Sequence, residues 1–241
     1  GCISTAVETD EHLRQAGRDD FRRIMAPVEE ERFNREVVAP DLAQELGLTT
    51  MAIPEAYGGL GLSLFEESLV TEELSWGCSG ISTAIGVNSL GILPIMIAGS
   101  EEQKTEYGGR MANGELCAYC VTEPEAGSDV AGIKTTAVRD GDDYILNGGK
   151  TFITGATNAN FYTVLAYTKP EMREDHRHRY KGMSFFIVHR NWAGVSVGKP
   201  FDKMGQHASD TAEVIFDNVR VPASQMLGEE GSGFVTTMKV F

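Results

Sequence analysis

Two cysteines three residues apart, Cys117 and Cys120, are the residues whose spacing most directly suggests chemistry. A C-x-x-C pair can form a redox dithiol or half of a zinc site. The segment around them has the pattern of a β-strand, on which residues an odd number of positions apart point to opposite faces. No second C-x-x-C completes a zinc site. We therefore predict that both cysteines are small buried hydrophobic residues and that the chain holds no metal.

The segment that follows, TEPEAGSD (122–129), is the second candidate. The strand is expected to end at Pro124, after which Gly127 permits a close approach of the backbone to a ligand. Ser128 and Asp129 are residues that donate or accept hydrogen bonds within turns. The segment matches neither the P-loop nor the Rossmann glycine pattern. From the residue types alone, an ordinary loop and a ligand-binding turn both remain open.

Composition limits the classes of protein to which the chain can belong. Its 241 residues are 41% hydrophobic and 23% charged, which is enough for a sizeable core. Lys and Arg number 21 against 35 Asp and Glu, so the net charge is −14. This balance argues against nucleic acid or an anionic membrane as a main partner, because both bind basic surfaces. Four cysteines, no visible secretory signal and no apolar run of about 18 residues predict a soluble, reducing, intracellular setting without a membrane span.

The first part of the chain has the pattern of helices. Residues 41–47 form a predicted helical segment, and Ser63 followed by Glu66 is the signature of a capping box at the start of another helix. The segment 82–99 is almost uncharged, which predicts a buried helix that bends or stops before Pro94.

At about Leu116 the hydrophobic period changes to the alternation typical of strands. The short runs that follow are LCAYCVT, IKTTAVR, DDYILNG, KTFIT, FYTVLAY, MSFFIVH, GVSVG and AEVIFD, and the DG and NG dipeptides between them predict tight hairpins. We therefore predict a multidomain α+β fold. It consists of an all-α domain over 1–115, an antiparallel β sandwich or barrel over 116–222, and the first helix of a C-terminal helical domain over 223–241.

The segment CVTEPEAGSDVAG (120–132) resembles the signature of the acyl-CoA dehydrogenase family. Further segments resemble the landmarks of that family in the same order: IPEAYGGLGLS, AGSEEQKTEY, DYILNGGKTFITGATNANFYTVLA, MGQHASDTAEVIFDNVRVP and LGEEGSGF. The resemblance covers the chain from about Leu13 onward, and it implies a helical N-terminal domain followed by a middle β domain.

The resemblance implies FAD as the cofactor. The positions that match the cofactor-binding residues of the family are Tyr119, Val121, Thr122, Gly127, Ser128, Phe152, Ile153 and Thr154. The hydroxyls of Thr122 and Thr154 are suited to hydrogen bonds with the flavin ring, which tune its electronics. Phe152 departs from the tryptophan most common in the family and keeps an aromatic ring. The residues that match the acyl-CoA site are Ser128, which also contacts the pantetheine arm, and, on the buried helix, Thr83, Gly86, Val87 and Leu90.

A charged loop over 169–181 contains several cations in an otherwise acidic chain. Because the family places CoA near this hairpin, we expect either Arg177 or Arg179 to meet a CoA phosphate. A solvated loop is the alternative. His176 and His178 lie two positions apart, but no third metal ligand is apparent.

The implied reaction is the α,β-dehydrogenation of an acyl-CoA thioester in fatty acid β-oxidation, with electrons passed to an electron-transfer flavoprotein. The family carries its catalytic Glu in a C-terminal helical bundle, so the base is expected beyond Phe241, and the chain is expected to be incomplete and inactive alone. Full-length members form dimers or tetramers, in the cytoplasm of bacteria or, in eukaryotes, the mitochondrial matrix; the cytoplasm is preferred here. Two alternatives remain: an acyl-CoA oxidase or nitroalkane oxidase-like flavoenzyme, and a non-catalytic fragment without flavin.

Overall fold

The computed structural model describes Gln15 and residues 40–241. Cys2 and the other residues of the predicted helical domain before Pro40, apart from Gln15, lie outside the described residues. Within residues 40–116, three helices precede the sheet: α1 Pro40–Glu45, α2 Leu64–Ala98 and α3 Glu101–Ala112. Short 3₁₀ turns at Leu48–Thr50 and Glu55–Tyr57 connect α1 to α2. The helical character predicted for residues 41–47 is thus confirmed.

The start of α2 is capped as the sequence predicts. The Ser63 hydroxyl accepts a hydrogen bond from the Glu66 amide at 3.3 Å, and the Glu66 carboxylate accepts one from the Ser63 amide at 2.8 Å. These reciprocal bonds satisfy two of the amides that a helix N-terminus leaves without an internal partner.

The prediction of a bend or stop before Pro94 was wrong about where α2 is interrupted. The helix continues past Pro94 to Ala98, and its one residue with non-helical torsion angles is Cys78, at φ −155° and ψ 108°. A proline inside a helix costs about 3 kcal/mol. Ile92 and Ile95 are fully buried on either side of Pro94, and their packing offsets that cost.

Among the described residues, α2 is the one helix that is long and apolar enough to cross a membrane by length and composition. Its most apolar window has a mean hydropathy of 1.8, and 56% of that window is buried inside the protein. Burial of this extent is what the central helix of a folded core shows.

The described part of the chain forms one sheet of eight strands. The strands are β1 Cys117–Cys120, β2 Thr136–Asp140, β3 Asp143–Thr154, β4 Phe161–Tyr167, β5 Met183–His189, β6 Val195–Val197, β7 Thr211–Pro222 and β8 Met226–Leu227. Their order is β6-β7-β3-β2-β4-β5-β8, with β1 also paired to β4. A final helix, α4, spans Gly233–Val240. The order of helices, strands and terminal helix confirms the predicted α+β fold.

Most strand pairs are antiparallel, as predicted, but β1 and β2 both run parallel to β4. The connection over 121–135 joins the end of β1 to the start of β2. Both strands pair with β4 and run in the same direction as it does. The alternation of side chains along a strand carries no information about the direction of a distant partner, so the sequence could not reveal these two pairs.

The two dipeptides predicted to make hairpins behave differently. The turn at Gly141, with φ 64°, joins β2 to β3 as predicted. At Asn147 and Gly148 the chain does not turn, and β3 continues with a shift of register against β7. A Cβ atom on Gly148 would lie 2.4 Å from Thr135 Oγ1, so this glycine permits a close approach between neighbouring backbones.

The two cysteines of the C-x-x-C pair are buried on opposite faces, as predicted. Cys117 packs in the cluster that contains Ile92 and Phe161, whereas Cys120 packs in the cluster that contains Tyr144 and Val164. Burial raises the pKa of both thiols, which keeps them protonated and unreactive.

Candidate functional site

A cavity of about 350 Å³ lies where β1, β3 and the second half of α2 meet. This volume lies at the low end of the range of ligand pockets, which is about 300–1,000 Å³. Its lining consists of Val87, Leu90, Tyr119, Val121, Thr122, Gly127, Ser128, Val130, Phe152, Ile153, Thr154 and Phe241. All eight positions that the family resemblance assigns to the cofactor therefore lie around one cavity.

The first wall is the end of β1 and the turn that follows it. Backbone hydrogen bonds between Glu123 and Ala126, both 3.0 Å, close this turn immediately after Thr122. A Cβ atom on Gly127 would have no neighbour within 4 Å, so the backbone at this position borders open space. Gly127 thus presents its backbone to the cavity without a side chain of the protein covering it, and Ser128 lines the cavity beside it.

The second wall is the end of β3, where the strand is irregular. Phe152 has φ 57°, a left-handed conformation that is rare for a bulky side chain. The register against β7 shifts between Lys150 and Ile153. A regular strand would turn Ile153 away from its two neighbours, but this bulge lets Phe152, Ile153 and Thr154 all line the cavity.

The ring of Phe152 is 65% exposed and lies 5.5 Å from the ring of Phe201. A strained backbone and an exposed aromatic ring are costly in the absence of a partner, and such strain concentrates at binding sites. The ring of Phe152 is thus positioned where it can pack against a bound ligand.

The third wall is α2, which contributes Val87 and Leu90. Thr83 and Gly86, the other two helix positions expected at the acyl site, lie outside the lining. The Thr83 hydroxyl donates to the Ser79 carbonyl at 2.8 Å within the helix. No neighbour lies within 4 Å of where a Gly86 side chain would begin. Their assignment to the acyl chain stays a prediction.

The charged loop does not line the cavity, but one of its cations reaches the turn beside it. Arg179 donates to both carboxylate oxygens of Asp129, at 2.8 and 3.0 Å. Arg177 is exposed, and its backbone amide donates to the Asp175 carboxylate at 3.0 Å. Of the two arginines expected at a CoA phosphate, Arg179 is thus engaged with the residue next to Ser128.

The polar groups of the lining are hydroxyls and backbone atoms, and no carboxylate side chain is among the described lining residues. The Tyr119 hydroxyl is buried and makes no hydrogen bond of acceptable geometry within the described part of the chain. Its polar neighbour, the Thr237 hydroxyl, donates to the Gly233 carbonyl at 3.0 Å. Burial raises the pKa of Tyr119 to about 12, so the hydroxyl remains a neutral donor.

These features fit a planar aromatic ligand with polar edges, such as a flavin ring. Val121 and Ile153 offer apolar contact, Phe152 offers an aromatic face, and the hydroxyls of Thr122 and Thr154 offer hydrogen bonds. The unpartnered hydroxyl of Tyr119 and the open backbone at Gly127 are sites that such a ligand would satisfy.

A buried ion pair that was not predicted from the sequence lies directly behind the cavity. Lys150 Nζ lies 2.8 Å from Glu123 Oε1, and their side chains are 0% and 6% exposed. The two residues lie 27 positions apart in the sequence, one after β1 and one in β3, so the pattern of either segment alone gives no sign of the pair.

Two family models match the chain. The one described as "Acyl-CoA dehydrogenase, N-terminal domain" matches residues 7–115, and the one described as "Acyl-CoA dehydrogenase, middle domain" matches residues 118–219. A relative from Caenorhabditis briggsae, named probable medium-chain specific acyl-CoA dehydrogenase 2, mitochondrial, is 40% identical over 240 residues. The match covers 97% of this chain and 58% of that relative.

Two solved structures have the same fold. An acyl-CoA dehydrogenase from Bacillus anthracis complexed with FAD superposes with a TM-score of 0.84 at 34% identity, covering 97% of this chain and 39% of that one. A structure from Acidaminococcus fermentans, described as an electron transferring flavoprotein, superposes with a TM-score of 0.86 at 36% identity, covering 96% and 60%. The chain thus spans less than two thirds of the length of these relatives.

Proposed function

The chain belongs to the acyl-CoA dehydrogenase family, and we propose that it forms the flavin-binding part of an enzyme that dehydrogenates an acyl-CoA thioester. The observation that carries this proposal is that all eight residues matching the cofactor positions of the family line one cavity. The FAD complex of the Bacillus anthracis relative supports the choice of cofactor.

We assign the residues of the cavity separate tasks. Val121 and Ile153 hold the flavin ring by apolar contact, and Phe152 covers it and excludes water. The hydroxyls of Thr122 and Thr154 donate hydrogen bonds to its polar edge. When FAD is bound, it supplies an acceptor for the hydride that leaves the β-carbon of the acyl group.

The acyl-CoA thioester would lie between the flavin ring and α2. Val87 and Leu90 give that side of the cavity an apolar surface suited to an acyl chain. Ser128 borders the opening and can donate a hydrogen bond to the pantetheine arm. Removal of the α proton needs a general base. The expectation that this base is a Glu beyond Phe241 stays a prediction.

The remaining partners are proposed on the same basis. The electron acceptor is an electron-transfer flavoprotein, which the related structure from Acidaminococcus fermentans supports. Assembly into a dimer or tetramer, a place in fatty acid oxidation and a cytoplasmic location are further proposals.

Because Arg179 is engaged by Asp129, we propose Arg177 as the contact for a CoA phosphate. Arg177→Ala should weaken the binding of an acyl-CoA several-fold at low salt, and the loss should shrink as salt screens the charges. Arg139→Ala, which removes an exposed cation from β2, is the matched control. Equal affinity for both variants at low salt would remove Arg177 from the site.

The proposed function is tested by reconstituting the purified chain with FAD and recording its visible spectrum. We expect bound flavin, and we expect the double variant Thr122→Val/Thr154→Val to bind FAD at least tenfold more weakly, because two hydrogen bonds of about 1 kcal/mol each are lost. Thr105→Val, on the exposed face of α3, is the control. A chain that takes up no FAD would favour the fragment without flavin.

A second measurement, made on the proposed enzyme, distinguishes a dehydrogenase from an oxidase. Bleaching of the flavin by an acyl-CoA without oxygen consumption is expected for a dehydrogenase. Rapid oxygen consumption would identify an oxidase instead.

A further inference from the structure

We propose that the buried Glu123–Lys150 ion pair is a positioning device that fixes the two strand-derived walls of the cavity relative to each other. The expected consequence is that the pair sets the affinity for FAD, and this consequence rests on the proposed function. Neither residue lines the cavity, so both act through the residues that do.

Lys150 connects the two strands that carry the cofactor positions. It lies on β3, two residues before Phe152, and its side chain is fully buried. Its Nζ atom donates to the Val121 carbonyl at 3.1 Å and to Glu123 at 2.8 Å. A backbone bond from the Thr151 amide to the Thr122 carbonyl, at 2.9 Å, runs beside this contact. The side chain of Lys150 thus ties the end of β1 to the bulged part of β3.

Glu123 ties down the loop that contains the turn. Its Oε1 atom accepts from the Thr135 hydroxyl at 2.6 Å and from the Thr135 amide at 3.1 Å, in addition to Lys150. Its Oε2 atom accepts from the Lys134 amide at 2.6 Å. One carboxylate therefore joins the first residue of the loop 123–135 to its last two residues, and Gly127 and Ser128 lie within the loop that it closes.

The Glu123 carboxylate keeps its charge in spite of its burial. Burial acts to raise the pKa of Glu123, but Lys150 and the hydrogen bonds from Thr135 and Lys134 outweigh it and hold the pKa below its ordinary value. Burial lowers the pKa of Lys150 against the attraction of Glu123. An apolar pair of similar volume would avoid the desolvation of two charges. It would leave three donors of the loop and the carbonyl of Val121, just after β1, without these partners, so the ion pair supplies geometry that apolar packing cannot.

The decisive variant is Glu123→Gln/Lys150→Met, which removes both charges together and avoids leaving one of them buried and unpaired. The amide oxygen of the introduced glutamine can accept from Thr135, but its NH₂ group would face the Lys134 amide, so that bond is lost. We expect hydrogen exchange at the Lys134 amide and across the loop 123–135 to accelerate at least tenfold. We expect the affinity for FAD to fall at least tenfold, with the midpoint of thermal unfolding kept near that of the parent chain.

The control removes a similar pair from the other end of β3. Arg220 binds Asp143 at 2.9 Å on the surface, and Asp143→Asn/Arg220→Met should leave both loop exchange and FAD affinity unchanged. If Glu123→Gln/Lys150→Met fails to fold, Thr135→Val, which removes one hydrogen bond to Glu123 and leaves the ion pair in place, provides the same exchange readout.

The outcomes separate this inference from the proposed function. If the parent chain binds no FAD, the proposed function fails, while loop exchange still decides whether the pair holds the walls. If the double variant exchanges and binds FAD as the control does, the positioning role is overturned. If FAD affinity falls only in step with thermal stability, the pair acts as general core and the inference is equally wrong.

Discussion

At the scale of single residues, the backbone of Phe152 links strain to binding. Its φ of 57° is the conformation that lets three consecutive residues of β3 face the cavity. Non-glycine residues in this conformation cost about 1–3 kcal/mol. The chain therefore gives up folding stability at the position where an aromatic ring is presented to the proposed flavin.

This strain predicts opposite effects of one substitution on stability and binding. Phe152→Gly should raise the free energy of unfolding of the FAD-free chain by about 1 kcal/mol, because glycine adopts positive φ freely and the ring is mostly exposed. It should weaken FAD binding at the same time. Phe152→Ala is the control, since it removes the ring but keeps the strain. Chemical denaturation measures the difference, and equal stability of the two variants would contradict the account.

His189 gives a prediction for the dependence of stability on pH. Burial is the main cause that lowers its pKa, and the neighbouring Arg110 lowers it further. The Arg110 guanidinium, which can only donate, lies 3.3 Å from Nδ1 of His189, so Nδ1 accepts this hydrogen bond. Nε2 therefore carries the proton and donates to the Tyr107 hydroxyl at 2.8 Å. The folded state thus holds the neutral ring in a defined tautomer.

Because the folded pKa of His189 lies below its unfolded value of about 6.5, the unfolded chain binds more protons between the two values. The free energy of unfolding is therefore fully retained above pH 6.5, and it falls as the pH drops through 6.5 toward the lowered pKa of His189. His189→Gln should show a smaller drop in thermal stability between pH 7.5 and 5.5 than the parent chain. His176→Gln, on the exposed loop, should show the same drop as the parent.

At the scale of elements, β3 depends on a glycine that the sequence presents as a turn residue. Gly148 lies against Thr135, whose hydroxyl and amide are bound by Glu123. The close approach of these two backbones therefore determines where the end of the loop 123–135 sits beneath the cavity.

Adjacent glycines test this point with a matched pair. A Cβ on Gly148 would lie 2.4 Å from Thr135 Oγ1 at a φ of 148°, whereas one on Gly149 would meet nothing within 4 Å. Gly148→Ala should lower the free energy of unfolding by about 1–3 kcal/mol, as overpacking does. Gly149→Ala should change it by less than about 0.5 kcal/mol. Equal losses measured by denaturant unfolding would show that the close approach is not the cause.

The same element shows what the sequence could and could not predict. Alternation along β1 was enough to place Cys117 and Cys120 on opposite faces, because that inference needs only local geometry. The bulge at Phe152 and the contact of Glu123 with Lys150 depend on residues brought together by the sheet. Patterns read within a short window carry no information on such contacts, and the positions of the proposed site came from the family resemblance.

At the scale of the whole molecule, the cavity unites elements that are distant in the sequence. Val87 on α2, Thr122 after β1 and Thr154 at the end of β3 line it together. A flavin that contacts Thr122 and Thr154 can bind only when the ends of β1 and β3 are assembled. Binding of FAD must therefore stabilise the folded chain against unfolding.

The size of that stabilisation follows from mass action. FAD at 100 times its dissociation constant should add about 2.7 kcal/mol to the free energy of unfolding. For a domain of about 150–250 residues, each kcal/mol raises the unfolding midpoint by about 2–4 °C, so a rise of about 5–11 °C is expected. Adenosine monophosphate, which lacks the flavin ring, is the control and should cause little shift, because the cavity is lined for an aromatic ring with polar edges. Equal shifts with both ligands in a thermal melt would locate binding away from this cavity, and no shift with FAD would mean that the assembled walls do not hold a flavin.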